Sequence, residues 1–335
     1  MKKDNHEDIF DEEFFEEING PAHEKAEKQS FNKHFIFFGI VIILFIFAVI
    51  RLLIWNKGID SGYDPTEDTS EFDTEPLDYI QPLNSTQLEN KPDDNITTIF
   101  CFGNSPFADN GQENALANEI AKQYDATVIN ASFADSLQAP SDADYSEDED
   151  GLSLYPVVNA LITKDFSVLE KSAEEVSEEA TDKVSELKSV DISLADMVVI
   201  MYDINDYTEL RPVFDPGNTS NPITFAGALE STIQLIQENY PYIRIVVLSI
   251  PASGKTIDNY YVDGDIHDLG NGTLVDYLGH EANICISNGV SFVDTYFGVI
   301  NVDNRDKYIE NDYHLNKAGA KAIVERMKKL IILNN

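Results

Sequence analysis

An uninterrupted apolar run dominates the N-terminal part of the chain. Residues 35–55 read FIFFGIVIILFIFAVIRLLIW, and Arg51 is their one charged side chain. A helix needs about 20 consecutive apolar residues to cross ~30 Å of hydrocarbon. A run that is apolar on every face does not suit a core helix, which would keep a polar stripe. The pattern therefore predicts one transmembrane helix at residues 35–55.

Polar, acidic segments lie on either side of this run. Residues 1–34 are interpreted as a disordered cytoplasmic tail, with a short partner-binding helix around its DEEFFEEI stretch as the alternative. Residues 56–95 are rich in Asp, Glu, Ser, Thr, Asn and Pro and show no periodicity. That composition predicts a flexible, self-repelling linker.

From residue 96 onward, short apolar runs alternate with helix-like stretches. Strand-like runs occur at residues 98–102, 127–131, 196–202, 243–250 and 290–294. Helix-like stretches occur at residues 113–124, 157–188, 225–239, 274–287 and 317–333. Strands that alternate with helices predict a mainly parallel five-stranded sheet covered on both faces, in a three-layer α/β/α sandwich. Residues 96–335 are therefore expected to form one α/β domain.

Lysines indicate how the chain is oriented in the membrane. Lys25, Lys28 and Lys33 precede the apolar run, which favours an N-terminus on the inside. The run is too long and begins too late for a cleavable signal peptide, and no small-x-small cleavage site follows it. We expect a single-pass signal anchor with a cytoplasmic N-terminus and an extracellular C-terminal domain.

Charge and cysteine content restrict partners and cofactors. The sequence has 60 acidic and 23 basic residues, a net charge of −37. This balance excludes nucleic acid, because phosphate binding needs clustered Lys and Arg. An acidic surface is also repelled by anionic lipid, so the membrane contact is assigned to the helix at residues 35–55. Cys101 and Cys285 are too few for a disulfide framework or a zinc site, and neither a metal nor an organic cofactor is expected.

Polar residues follow several of the predicted strands. Active sites of open parallel sheets form at the carboxyl ends of the strands, so these loops are compared with one another. The first strand leads into Gly103-Asn104-Ser105, the second ends near Ser132, and Asn205-Asp206 follow the third. His314 comes shortly before the last helix. Each segment is weak evidence alone, because Asn and Ser favour turns for local reasons.

Taken together and in this order, the segments resemble the SGNH (GDSL-like) serine hydrolase superfamily. Gly103-Asn104-Ser105 is similar to the family's Gly-Asp-Ser nucleophile turn, and residues 203–206 are similar to its Gly-x-Asn-Asp block. His314-Leu315-Asn316 is similar to its histidine block. The resemblance covers residues 98–333 and implies a flavodoxin-like SGNH hydrolase fold.

The resemblance also implies a role for each residue. Ser105 would be the nucleophile and His314 its base, because a serine hydroxyl reacts slowly unless an imidazole accepts its proton. The backbone N–H groups of Ser105 and Ser132 and the side-chain amide of Asn205 would form the oxyanion hole.

Three positions depart from the family pattern. Asn104 replaces the Asp before the nucleophile, and Asp203 replaces a Gly, which adds a negative charge beside the predicted oxyanion hole. Three residues before His314, where the family has Asp, this chain has Asn311, and Asp312 is one residue nearer. The third member of the triad is therefore open between Asn311, Asp312 and a Ser–His dyad.

The expected function follows from the resemblance and the predicted anchor. It is a membrane-anchored extracytoplasmic serine esterase or O-acyltransferase that acts on acyl esters, above all acetyl esters, of cell-envelope glycans. The linker would let the domain reach polymer close to its own membrane. The alternative is a catalytically impaired SGNH-fold surface module that binds envelope glycan or a protein partner. The sequence leaves the oligomeric state open.

Overall fold

The computed structural model describes residues 75–92, 94–108 and 116–333, together with the helical positions Val41, Ile42, Phe45, Ile46 and Val49. The predicted tail at 1–34 and most of the predicted membrane span at 35–55 lie outside the described residues. Within the part of the chain that is described, no helix is long and apolar enough to cross a membrane. The chain divides into two units, and the second runs from Thr74 to Asn335.

The described residues contain nine strands. They are β1 (Thr98–Gly103), β2 (Thr127–Asn130), β3 (Met197–Met201), β4 (Arg244–Leu248), β5 (Gly254–Ile257), β6 (Tyr260–Asp263), β7 (Ser291–Val293), β8 (Ile309–Glu310) and β9 (His314–Leu315). Five of them form one parallel sheet in the order β2-β1-β3-β4-β7, which confirms the predicted sheet. Strands β5 and β6 form an antiparallel hairpin, and so do β8 and β9.

Eleven α-helices lie in the same described part of the chain. They are α1 (Ser85–Leu88), α2 (Ser105–Ala108), α3 (Leu116–Tyr124), α4 (Leu154–Thr163), α5 (Ser167–Val176), α6 (Glu178–Leu187), α7 (Asn205–Thr208), α8 (Phe225–Asn239), α9 (Leu274–Asn288), α10 (Arg305–Tyr308) and α11 (Lys317–Leu330). Asn316 caps α11, since its side chain accepts hydrogen bonds from two backbone N–H groups of the first turn.

The helices cover both faces of the sheet and create two apolar cores. Successive side chains of a strand point to opposite faces, and β1 shows this alternation. Ile99 and Cys101 pack with α3 and α11, whereas Phe100 and Phe102 pack with the core that α4, α5, α6, α8 and α9 complete. Cys285 belongs to the second core, so the two buried cysteines lie on opposite faces and are unpaired. Strands buried on both faces explain the continuous apolar runs of the sequence.

The unit begins earlier than the predicted boundary at residue 96. Tyr79, within the predicted linker, exchanges two backbone hydrogen bonds of 2.9 and 2.7 Å with Phe292 of the edge strand β7. Asp78 also forms an ion pair with Arg326 of α11. Composition did not reveal this edge segment, because pairing with a sheet edge uses backbone groups and needs few apolar side chains.

Gly103 lets β1 end directly beside β3. A Cβ atom at this position would lie 1.9 Å from the carbonyl oxygen of Met201 and 2.9 Å from the ring of Phe107. No side chain fits in that space. The glycine therefore allows the backbone to pass β3 and turn into α2, whose first residue is Ser105.

We expect Gly103→Ala to lower the free energy of unfolding by about 3 kcal/mol or more, because the added methyl group would overlap with the backbone of β3. Gly279→Ala is the matched control. Gly279 lies inside α9, where an added Cβ meets no atom within 4 Å, so the change should stabilise the fold by about 0.5–1 kcal/mol. Chemical denaturation of both variants measures the difference. Equal stability of the two variants would contradict this account of Gly103.

Candidate active site

Ser105 lies at the corner where β1 turns into α2. It is the first residue of α2 and is buried. Helix α2 packs against β9, the strand that begins with His314, and Phe107 and Leu315 of these two elements share one apolar core. The structure therefore brings together the two segments that carry the predicted nucleophile and base.

Asn104 joins the ends of β1 and β3. Its Nδ2 donates to Asp203 Oδ1 at 2.8 Å and to the carbonyl oxygen of Ser136 at 2.8 Å. Its Oδ1 accepts a 2.9 Å hydrogen bond from the backbone N–H of Asp203. An ionised aspartate in place of Asn104 would have no donor for the Asp203 carboxylate and would repel it. Asn104 and Asp203, the first two departures from the family pattern, thus complement each other as donor and acceptor.

Asp203 is a buried carboxylate with several donors around it. Its Oδ1 also accepts the backbone N–H of Asn205 at 2.9 Å, and its Oδ2 lies 3.4 Å from Asn205 Nδ2. Burial raises the pKa of Asp203 to about 6, although hydrogen bonds from Asn205, Asn104 and Ser105 and the positive charge of Lys255 lower it. The charge expected beside the oxyanion hole is therefore present, and the donors around it disperse it.

Asn205 begins α7 and lies between two opposite charges. Lys255 Nζ donates to Asn205 Oδ1 at 2.7 Å, while Asn205 Nδ2 faces Asp203. Sequence reasoning missed Lys255, which lies on β5 of the hairpin after β4. One signal was available, because Asp258-Asn259 between two strand-like segments is typical of a tight hairpin turn, and both residues have positive φ.

His314 lies at the end of a tight turn between β8 and β9. Its ring stacks on Tyr313 with a centroid distance of 4.2 Å, and Glu310 is its cross-strand neighbour. The turn residues Asn311 and Asp312 have φ values of 47° and 73°, in the left-handed region. The side chain of Asn311 is exposed to solvent.

Asp312 contacts the β5–β6 hairpin. Its Oδ2 accepts a 2.9 Å hydrogen bond from the backbone N–H of Thr256, the residue after Lys255. This contact joins the turn that carries His314 to the strand that carries Lys255. The carboxylate nearest to the family's triad position therefore has a role in holding two loops together.

Ser132 is buried and lies two residues after the end of β2. Its backbone N–H donates to Asn130 Oδ1 at 3.2 Å, and its hydroxyl donates to the carbonyl oxygen of Cys101 at 3.3 Å. Asn130 Nδ2 in turn donates to the carbonyl oxygen of Phe107 at 2.8 Å. The predicted oxyanion donor at Ser132 thus has a partner in this structure, and Asn130, which the sequence places at the same strand end without a role, holds α2 through the Phe107 carbonyl.

Asp206 follows Asn205 but supports a neighbouring loop. Its two carboxylate oxygens accept the backbone N–H groups of Gln138 and Ala139 at 2.7 and 3.0 Å. Burial raises the pKa of Asp206 to about 7, against the lowering effect of these two hydrogen bonds. Within the described residues, no group of three or more His, Cys, Asp or Glu side chains is arranged to hold a metal ion.

Comparison with known proteins gives structural matches only. No protein-family model and no curated protein matches the chain. One solved structure, with 19% sequence identity, covers 70% of this chain and 95% of its own with a TM-score of 0.50. A protein from Lactobacillus plantarum has 16% identity, the same two coverages and a TM-score of 0.49. A carbohydrate acetylesterase from Sinorhizobium meliloti has 14% identity and a TM-score of 0.40, covering 70% of this chain and 98% of its own.

Structural similarity at these sequence identities establishes the fold of the chain. Its activity has to be inferred from the residues of the candidate site. Other solved structures that the chain resembles are described as a putative lipolytic protein of the G-D-S-L family, an aryl esterase and a putative GDSL-like lipase. The α/β fold with a five-stranded parallel sheet that the resemblance implied is confirmed, and the similarity to the solved structure with a TM-score of 0.50 agrees with it.

We expect the stability of the protein to depend on pH through Asp203. The pKa of an aspartate is about 3.9 in an unfolded chain, below the value of about 6 for folded Asp203. Between these two pH values the folded state binds more protons, so the free energy of unfolding falls as pH rises, on the order of 3 kcal/mol in total. In Asp203→Asn, the contribution of this residue to the fall in the free energy of unfolding between pH 4 and pH 6 should be absent.

Asp142→Asn serves as the control for that measurement. Asp142 is exposed, and its hydrogen bond with the Ser146 hydroxyl holds the pKa of its carboxyl below the usual value. Replacing it should not flatten the fall in stability. Urea denaturation at a series of pH values gives the slopes, and parallel curves for wild type and Asp203→Asn would rule out this role of Asp203.

Proposed function

We propose that this protein is a serine esterase or O-acyltransferase, with Ser105 as the nucleophile and His314 as its general base. One observation carries the proposal: three elements that are far apart in the sequence are joined at the carboxyl end of the sheet, α2 to β9 by packing and α2 to α7 through the bonds of Asn104 and Asp203. Helix α2 begins with Ser105, α7 begins with Asn205, and β9, which packs on α2, begins with His314. A nucleophile, a hydrogen-bond donor and a base are the groups that acyl transfer requires.

The proposed reaction passes through an acyl-enzyme. Rotation about the Cα–Cβ bond of Ser105 moves its hydroxyl from Asp203 toward His314, which takes the proton while Oγ attacks the acyl carbon. The resulting oxyanion is bound by the backbone N–H of Ser105 and by Asn205 Nδ2. His314 then protonates the leaving alcohol, and the acyl group stays on Ser105.

The second half of the reaction decides between hydrolysis and transfer. Water attacking the acyl group gives a free acid, and a sugar hydroxyl gives a new ester. His314 accepts the proton of either nucleophile and returns it to Ser105 Oγ as the Ser105–acyl bond breaks. The Ser132 N–H is the third proposed donor. Its 3.2 Å hydrogen bond to Asn130 is long, so exchange for a stronger bond to a charged oxyanion is favourable.

For the substrate and location, we propose acyl esters of envelope glycans on the outer side of the membrane, with acetyl as the leading acyl group. The apolar run at residues 35–55 and the lysines that precede it support an anchored, outward-facing unit. The net charge of −37 disfavours work on anionic phospholipid surfaces, which would repel the protein. A neutral or acetylated sugar polymer meets no such repulsion.

A second candidate function is a binding module without catalysis. The contact between Asp312 and Thr256 favours it, because a carboxylate engaged with the hairpin gives less support to an imidazolium. Such a module would use the same carboxyl end of the sheet to bind glycan or an envelope partner. Reactivity of Ser105 separates the two functions.

We expect the whole chain to release p-nitrophenol from p-nitrophenyl acetate with an initial burst, and a fluorophosphonate probe to label Ser105. Ser105→Ala should abolish labelling and lower kcat at least ~10³-fold, because no other group replaces the nucleophile. The matched control is Ser136→Ala, which removes a buried hydroxyl that donates to the carbonyl oxygen of Phe133 and also contacts the Tyr202 side chain. Wild-type protein that is neither labelled nor shows a burst would favour the binding module.

Asp312→Asn tests whether the turn carboxylate acts in catalysis. The amide oxygen of the variant can still accept the Thr256 N–H, but it carries no charge. We expect kcat within about threefold of wild type, whereas Asp312→Ala should lower it further by releasing the hairpin. If Asp312→Asn instead lowers kcat by about 10⁴, as loss of the triad acid typically does, Asp312 is the third member of a triad.

A further inference from the structure

Lys255 brings a positive charge into the proposed active site from an unexpected element. It lies on β5, and its side chain reaches between α7 and the turn that carries His314. Besides the 2.7 Å bond to Asn205 Oδ1, Nζ lies 3.4 Å from Thr208 Oγ1 and 3.8 Å from Glu209 Oε1. It also lies 5.5 Å from the centroid of the Tyr313 ring.

The backbone around Lys255 is held firmly. The hairpin turn at Asp258 and Asn259 pairs β5 with β6, and the next residue after Lys255 is bonded to Asp312. At Gly254 a Cβ atom would lie 2.4 Å from the Tyr261 ring, so β5 and that ring are in close contact. Lys255 is therefore positioned by strand pairing and by a contact on each side of it.

The chemistry of its two neighbours decides how the Asn205 amide is oriented. An ammonium group has donors and no acceptor, so Lys255 must face the amide oxygen. An ionised carboxylate only accepts, so Asp203 must face the amide nitrogen. Both neighbours favour the same orientation, with Nδ2 at the end nearer Asp203 and Ser105. Without Lys255, a water molecule at that place could donate or accept, and the preference would weaken.

Lys255 also counters the negative charge of Asp203, the second departure from the family pattern. The positive charge that lowers the pKa of buried Asp203 comes from Lys255. Oxyanion stabilisation depends on the total field at the reacting oxygen, and a nearby carboxylate opposes it. A cation on the far side of the Asn205 amide partly cancels that opposition.

We propose that Lys255 is a positioning residue of this site, which fixes the Asn205 amide with Nδ2 toward the oxyanion and balances the charge of Asp203. The catalytic part of the inference rests on the proposed function. The proposal predicts that replacing Lys255 changes kcat more than KM, because the Asn205 amide contributes most when the oxyanion develops.

Kinetics of Lys255→Met with p-nitrophenyl acetate test the catalytic part. We expect kcat to fall about tenfold to a hundredfold, less than the ~10²–10³ typical of losing an oxyanion donor outright, as in Asn205→Ala. KM should stay within about threefold. Lys255→Arg should recover part of the loss, and ethylammonium should stimulate Lys255→Ala in a saturable way. Lys321→Met, which removes an exposed lysine paired with Glu325 on α11, should leave kcat unchanged.

A titration without turnover tests the electrostatic part. In ¹³C NMR spectra of the labelled whole chain, the pKa of the Asp203 carboxyl should rise in Lys255→Met, because removal of a nearby cation favours the neutral form. Lys321→Met should leave the Asp203 titration where it is. An unchanged Asp203 pKa in Lys255→Met would overturn the proposal, whether or not the protein turns over ester.

The two proposals fail in different ways. If Ser105 is labelled and Lys255→Met retains wild-type kcat, the role of Lys255 is refuted while the proposed function stands. If wild-type Ser105 is neither labelled nor acylated, the proposed function fails, and the NMR titration still decides whether Lys255 balances Asp203.

Discussion

The paired hydrogen bonds between Asn104 and Asp203 are the interaction on which the site depends. They join the ends of β1 and β3, two central strands whose residues are about 100 positions apart in the sequence. Ser105 follows one partner directly, and the backbone N–H of Asn205 is bound by the other. The relative positions of Ser105, the proposed nucleophile, and the Asn205 amide are therefore set by one buried contact, which lies in a low-dielectric interior where hydrogen bonds are strong and their loss is costly.

This contact also explains how Asn104 and Asp203 can occupy positions where the SGNH pattern has Asp and Gly. A carboxylate at position 203 alone would leave a buried charge with too few donors, which is among the most destabilising of changes. Asn104 supplies a donor, the start of α7 supplies a backbone N–H, and Lys255 supplies a positive charge. Two of the departures seen in the sequence, Asn104 and Asp203, are thus parts of a single hydrogen-bond network that extends through Asn205 and Lys255 to the β5–β6 hairpin.

Much of the fold could be predicted because its signals are local. Apolar runs of strand length that alternate with helix-like stretches predicted the five-stranded parallel sheet. Polar residues near the ends of these elements predicted the segments that carry Ser105, Asn205 and His314. Lys255 could not be selected in this way, since a lysine beside a hairpin turn is usually solvated and only tertiary packing brings it to Asn205. The contact of Asp312 with Thr256 also depends on tertiary packing. It could not be predicted, because its donor is a backbone N–H, which the residue type does not reveal. The pairing of Tyr79 with β7 was missed because it lies in a segment whose composition suggests a flexible linker.

The segment along β7 has a further consequence for how the sheet ends. Its backbone occupies groups through which β7 would otherwise add a strand from a second molecule. A fragment that starts at residue 96, where composition alone would place the start of the domain, uncovers that edge and removes the Asp78 partner of Arg326. Such a fragment differs from the whole chain in its tendency to self-associate through continued strand addition, even though every residue of the proposed catalytic centre is retained.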